Sequence, residues 1–299
     1  MIRRCILSVA LSFGVIGAAQ AAEPLPVVAS FSILGDMVQN VGGDRVKVTT
    51  LVGADGDAHV YQPTPADVGT LSKSRVFFVN GLGFEGWMKR LTASSKYKGT
   101  VVTVSDGIKP RAMAGDGHDG HDHGADPHAW QNPDNARLMV KNIAVALAKI
   151  DPAGASVYKA NAAKYDGQLA ELSRWADAQV AAIPLAKRKV ITSHDAFGYL
   201  GARYQITMLS PQGLSTEAEA SAKGVGALIR QIKQSGIKAV FVENISNRKL
   251  IEQISRETGA SLEGTLYSDA LSKNPQASSY LAMYRHNIQT LVAGMKVNQ

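Results

Sequence analysis

Residues 188–194 read Arg-Lys-Val-Ile-Thr-Ser-His, and they repeat the pattern of residues 25–31, Leu-Pro-Val-Val-Ala-Ser-Phe. Each is a short apolar run of the kind that forms a buried strand. Each leads into a helical pattern containing glycine (Gly35, Gly198) and then a second strand, Val46–Val52 or Ile206–Leu209. Helical stretches follow at Ala66–Leu71 and Val225–Ile232. The next strands are Ser-Arg-Val-Phe-Phe-Val-Asn (74–80) and Ile-Lys-Ala-Val-Phe-Val-Glu-Asn (237–244). Order repeats more than identity does. Strands alternating with helices predict an α/β fold of two similar lobes, each built on a mainly parallel sheet. Val101–Val104 is expected as another buried strand of the first lobe.

Between the two copies lie two long helical patterns. Asp134–Ile150 stops at Asp151-Pro152, and Val157–Ala182 has no internal proline and ends at Pro184. A helix of about 26 residues reaches about 39 Å, enough to run along both lobes. The expected organisation is an N-terminal lobe over 23–155, a linking helix over 156–183 and a C-terminal lobe over 184–299, with a ligand site in the cleft between lobes.

The first 22 residues stand apart. Arg3 and Arg4 precede an apolar run, Ile6–Ala19, that ends in small residues around Ala21. That order marks a signal peptide removed after about residue 21 or 22, and the run is shorter than the ~20 residues of a membrane span. The chain is therefore expected outside the cytoplasm, in the periplasm. The only cysteine is Cys5. It lies inside the leader without the small-residue context of a lipid-attachment site, so no disulfide is expected in the mature chain. Hydrophobic residues make up 45% of the 299 and charged residues 19%, a globular balance. The net charge of +7 falls to +5 without the leader. Its cations are scattered apart from Lys187-Arg188-Lys189, read as a solvated loop, so nucleic acid is not an expected partner.

Four segments each offer one good metal donor: Asp-Ala-His-Val-Tyr (57–61), Asp-Pro-His-Ala-Trp (126–130), Thr-Ser-His-Asp (192–195) and Tyr-Ser-Asp (267–269). His59, His128, His194 and Asp269 are 69, 66 and 75 residues apart, so only the whole fold can assemble them. His59, His194 and Asp269 each follow an expected strand, at the edge where parallel sheets bind ligands. Taken singly, each has a plain reading as a hydrogen-bonding residue. Taken together they suit zinc, which favours imidazole with a carboxylate in a closed four-coordinate site. His118, His121 and His123 alternate with acids in a glycine-rich segment over 115–124. They form a second candidate group, read equally as an auxiliary metal loop or as a spacer. His286 reads as structural, and no role attaches to Glu217, Glu219, Glu243 or Asn244.

At these residues the chain resembles the metal-binding receptors of ATP-binding-cassette importers for zinc and manganese. Its stretches 56–68 (GDAHVYQPTPADV), 126–136 (DPHAWQNPDNA), 191–200 (ITSHDAFGYL) and 266–271 (LYSDAL) are similar to that family's four ligand motifs. The resemblance implies metal ligation by His59, His128, His194 and Asp269, two lobes joined by one long helix, and a binding role without enzymatic activity. It also implies an ABC permease of the inner membrane as partner and a monomeric receptor, with a periplasmic zinc metallochaperone as a further candidate partner. Zinc members carry histidine at the third ligand position, where manganese members usually carry glutamate, so His194 implies Zn2+. The histidine-rich segment agrees with the zinc branch, while the C-terminal disulfide of some zinc members cannot form here. A manganese receptor or metal-dependent adhesin of the same fold is the alternative, with a zinc hydrolase behind it.

Overall fold

The computed structural model describes residues 23–112 and 125–298. The expected signal peptide (1–22) and His118, His121 and His123 lie outside the described residues. In the first lobe, β1 (Leu25–Phe31) sits between β2 (Val46–Val52) and β3 (Val76–Val79), with β4 (Thr100–Thr103) beyond β3. Every pair is parallel. Helices α1 (Ser32–Gly42), α2 (Pro65–Lys73) and α3 (Met88–Ser94) make the crossovers. Pro65 starts α2 behind a reciprocal cap, with the Thr64 hydroxyl accepting from the Asp67 N–H and the Asp67 carboxylate accepting from the Thr64 N–H. Val101–Val104 was expected to be a buried strand, but β4 is an edge strand whose residues are exposed or half-buried, with Val101 42% exposed, and burial is reached at Val104 just beyond it. β-branched composition marks a strand but cannot say whether a fifth strand will cover it.

Next, α4 (Pro133–Ile150) and α5 (Ala155–Ala181) form an antiparallel hairpin through the turn Pro152–Gly154. The 27 residues of α5 span about 40 Å. Its buried stripe, Tyr158, Tyr165, Leu169, Leu172, Ala176 and Val180, recurs at helical spacing.

The second lobe repeats the first. Strand β5 (Lys189–Ile191) lies between β6 (Thr207–Leu209) and β7 (Ala239–Glu243), with β8 (Ser261–Leu266) outside, again all parallel. The crossovers are α6 (Gly198–Tyr204), α7 (Ala222–Ser235) and α8 (Arg248–Thr258), and α9 (Tyr280–Met295) closes the chain against α5 and β8. Both sheets thus have the order second–first–third–fourth. The chain leaves the first strand of each lobe in one direction and returns on the other side, and a crevice opens at the carboxyl ends where the direction reverses. One apolar core runs from the first sheet through α4, α5 and α9 into the second lobe. A smaller cluster, including Val225, Leu228, Ile232, Ile251 and Ile254, lies under α7 and α8.

The Lys187–Lys189 trio is not a solvated loop. Arg188 donates to the carbonyls of Ile183 and Tyr204, and Lys189 Nζ to that of Ser235. The two cations satisfy carbonyls at the ends of helices, a favourable place for positive charge.

Candidate metal centre

All four donors expected from the sequence meet at the carboxyl ends of the two sheets. His59 stands seven residues beyond β2, on the loop that leads to α2. His128 caps the short 3-10 turn Ala129–Gln131, just ahead of α4. His194 and Asp269 each lie three residues past a strand, β5 and β8. One donor atom from each can be chosen so that all four lie within 4.8 Å of one another. Asp269 Oδ2 is 3.1 Å from Nε2 of both His59 and His194, and His59 Nε2 is 3.4 Å from His128 Nε2. Asp269 Oδ1 is 3.6 Å from His128 Nε2. Donors about 2.0–2.1 Å from a central ion would be about 3.3–3.4 Å apart in a tetrahedron, so the spacing fits a single divalent cation. Asp269 Oδ1 is buried and has no hydrogen-bond partner among the described residues, which is costly for a carboxylate unless a cation faces it.

Neighbouring groups aim the rings. Asp57 and Asp126 each accept, through Oδ1, the backbone N–H of the histidine two residues on, at 2.9 and 3.0 Å. Asp126 Oδ1 is also 2.9 Å from His128 Nδ1. Nδ1 therefore donates to Asp126, and Nε2 is the nitrogen that faces the centre. Glu243, buried at the end of β7, accepts the N–H groups of Ser193 and His194 at 2.8 and 2.9 Å through Oε1. Its Oε2 lies 2.5 Å from His194 Nδ1, a close charge contact that is not aligned as a linear hydrogen bond. Across the lobes, Trp130 Nε1 and Gln131 Nε2 both donate to the Ser268 carbonyl, at 2.9 and 2.8 Å, which fixes the backbone beside Asp269. Phe31, Phe84 and Trp130 pack with centroids 4.9 Å apart in tilted and T-shaped arrangements, and Phe84 and His59 meet in a T-shape.

Buried Glu85 braces the first lobe in the same way. It accepts from the Ser30 hydroxyl and from the N–H groups of Asn80 and Gly81, and Asn80 Nδ2 donates to the Pro127 carbonyl next to His128. Among the described residues no cation pairs with Glu85, and burial raises its carboxyl above the usual range.

The electrostatics are those of a cation site filled by protons. Burial opposes the charged form of His128, but the Asp269 charge and the Asp126 hydrogen bond outweigh it and hold the imidazole at about 9. At His194 burial is again outweighed, here by Glu243 and then Asp269, and the group sits well above its ordinary value. Burial would raise Asp269, yet the two imidazoles hold it well below the carboxylate range.

Of the remaining histidines, His286 hydrogen-bonds the Thr265 carbonyl at 3.0 Å, a structural role, as its sequence context suggests. Sequence reasoning gave no role to Asp57, Asp126 or Glu243. The first two had a legible signal, an Asp two residues before a His that occurs twice. Glu243 had none, because only the fold sets it against His194.

Residues 27–294 match the family described as zinc-uptake complex component A, periplasmic. The chain is similar to the manganese-binding lipoprotein MntA of Halalkalibacterium halodurans, with 34% identity over 93% of this chain and 91% of that one. Among solved structures it is similar to the Mn-bound periplasmic metal-binding protein of Candidatus Liberibacter asiaticus, with 33% identity, a TM-score of 0.80 and coverage of 91% and 99%. It is also similar to the periplasmic zinc-binding protein TroA of Treponema pallidum, with 28% identity, a TM-score of 0.84 and the same coverage.

Proposed function

The chain belongs to the family of periplasmic zinc-uptake component A proteins, solute-binding receptors of ABC metal importers rather than enzymes, and from that premise we propose that it captures Zn2+ between its lobes and delivers it to an ABC permease in the inner membrane. His59, His128 and His194 each give Nε2, and Asp269 gives one or both oxygens. The observation that carries this reading is the convergence of three imidazole nitrogens on one buried, otherwise unpartnered carboxylate. Imidazole in place of a second carboxylate shifts preference from hard ions such as Mn2+ toward zinc. The fourth protein donor fills the position that a catalytic zinc would leave to water.

Manganese is the second reading. Both Asp269 oxygens face the centre, which allows a fifth donor, and the relative from Halalkalibacterium is named for manganese. Competition between Zn2+ and Mn2+ at equal free concentration, read by chelator titration, decides between them. Preferential zinc loading is expected, and manganese loading at parity or better overturns the choice of metal. In the same assay His59→Ala should lose more than the ~10–100-fold typical of removing an outer partner. Parent-like affinity in that variant overturns the ligand set.

The division into lobes at residues 155/156 and 183/184, cleavage of the leader near residue 22 and a monomeric state in the periplasm are part of this proposal. Among the described residues no helix is long and apolar enough to cross a membrane. The segment carrying His118, His121 and His123 is proposed to collect zinc or to receive it from a metallochaperone.

A further inference from the structure

The four donors are not held alike. The side chains of His128, His194 and Asp269 are fully buried, whereas that of His59 is 5% exposed and is the only one that reaches solvent. The Trp130 and Gln131 bonds to the Ser268 carbonyl lie in the buried interior. The loop bearing His59 is anchored differently on its two sides. On its own lobe, Trp87 Nε1 donates to the Ala58 carbonyl at 2.9 Å, and the Tyr61 hydroxyl to Asp67 at 2.8 Å. On the opposite lobe it is fastened by two carboxylates near the surface. Asp55 Oδ1 accepts from Asn244 Nδ2 and Oδ2 from the Ser272 hydroxyl, both at 3.0 Å, and its N–H donates to the Leu271 carbonyl at 2.7 Å. Asp57 Oδ2 accepts from the Thr216 hydroxyl at 2.6 Å while its Oδ1 holds the His59 N–H. Asp55 makes these bonds at φ +58°, a conformation that costs energy in a residue with a Cβ and persists where surrounding contacts enforce it.

We propose that Asp55 and Asp57 are positioning residues that clasp the His59 loop onto the C-terminal lobe, and that opening of this clasp sets the rate at which bound metal leaves. The inference rests on the reading of His59 as a ligand. Each cross-lobe bond competes with water and is modest alone. Together they break without disturbing the shared core. Opening removes one donor of four and admits water to a site still held by three. Association draws on the same opening only in the metal-free chain, where the donors are not yet tied together by an ion, so the clasp weighs on release more than on capture.

The test is stopped-flow zinc dissociation from the full chain into excess chelator, with association rate and metal-free thermal stability measured alongside. Asp55→Gly removes the carboxylate and relaxes the backbone. Asn244→Ala with Thr216→Val cuts the clasp from the other lobe and touches none of the four donors. Both should release zinc about tenfold faster or more, with association and metal-free melting little changed. Asp55→Gly combined with Asn244→Ala should add less than the two effects summed, since they remove one shared bond. Parent-like dissociation in both the single and the paired variant overturns the clasp, as does a faster rate accompanied by an equal loss of association rate or of metal-free stability. A parent chain that binds no zinc, or a His59→Ala chain that binds as the parent does, overturns the site reading itself and the clasp with it.

Discussion

With His128 as a ligand, as proposed, the metal must displace a proton there. The group is held at about 9 against an unfolded value near 6.5, so the metal-free site carries an imidazolium there at neutral pH. A histidine raised in the folded state contributes stability that is fully present below about 6.5 and is lost as pH rises through about 9. The metal-free chain should therefore melt at progressively lower temperature across that window. Metal affinity should rise across the same window, because fewer protons have to leave. Calorimetry in buffers of different ionisation enthalpy reads the proton release directly. An affinity flat between pH 6.5 and 9, with no buffer dependence of the heat, would remove this account. That these four side chains come together was legible from residue type and, for His59, His194 and Asp269, from their places after strands. What holds them was legible only in part. The repeated Asp-x-His at 57/59 and 126/128 is a local device that a sequence can show. Glu243 acts on His194 across 49 residues of chain, and nothing local marks it.

At the scale of elements, the stem of the 113–124 segment is tied to the site. Ala112 and Ala125 form an antiparallel bridge, and the Asp126 N–H donates to the Arg111 carbonyl at 3.0 Å. Arg111 Nη1 is 3.4 Å from Asp126 Oδ2, and the hydroxyl of Tyr199 on α6 accepts the Arg111 N–H and donates to the Asp126 carbonyl. Helix α6 begins at Gly198 directly against this pair, and a Cβ there would collide with Arg111 Nη1 and Asp126 Oδ2. Gly198→Ala should therefore cost about 1–3 kcal/mol by overpacking and should loosen the carboxylate that orients His128. Denaturant unfolding reads the first effect and zinc titration the second. An unperturbed variant in both would show that the pair yields freely. Sequence patterns found the elements well where a whole helix or strand carries its own periodicity, as in α4, α5 and β3. They failed where the answer depends on what lies alongside, as with the exposed edge β4 and the carbonyl-capping Arg188 and Lys189.

For the whole molecule, the repeated lobe explains how donors nearly seventy residues apart converge, and also how the site comes to be asymmetric. When the first strands of the two lobes are matched, the position of His194, three residues past β5, corresponds to Phe31 at the end of β1. Phe31 packs on Phe84 and Trp130 to form an aromatic wall where its counterpart offers a ligand. Each lobe still contributes two donors, His59 and His128 from one and His194 and Asp269 from the other. The lobes share one apolar core through α4, α5 and α9. The long helix is pinned to both sides: the Tyr165 hydroxyl donates to Asp36 on α1, and Asp36 in turn accepts the Tyr280 N–H at the start of α9. A wide hinge would have to expose that core, whereas opening at the His59 loop breaks a few bonds near the surface. Small-angle scattering separates the two. A compact chain of this length has a radius of gyration of about 19 Å, and loading with metal should change it by less than about 0.5 Å. A contraction of several times that size would mean that the lobes move as rigid bodies and that the shared core does not hold them.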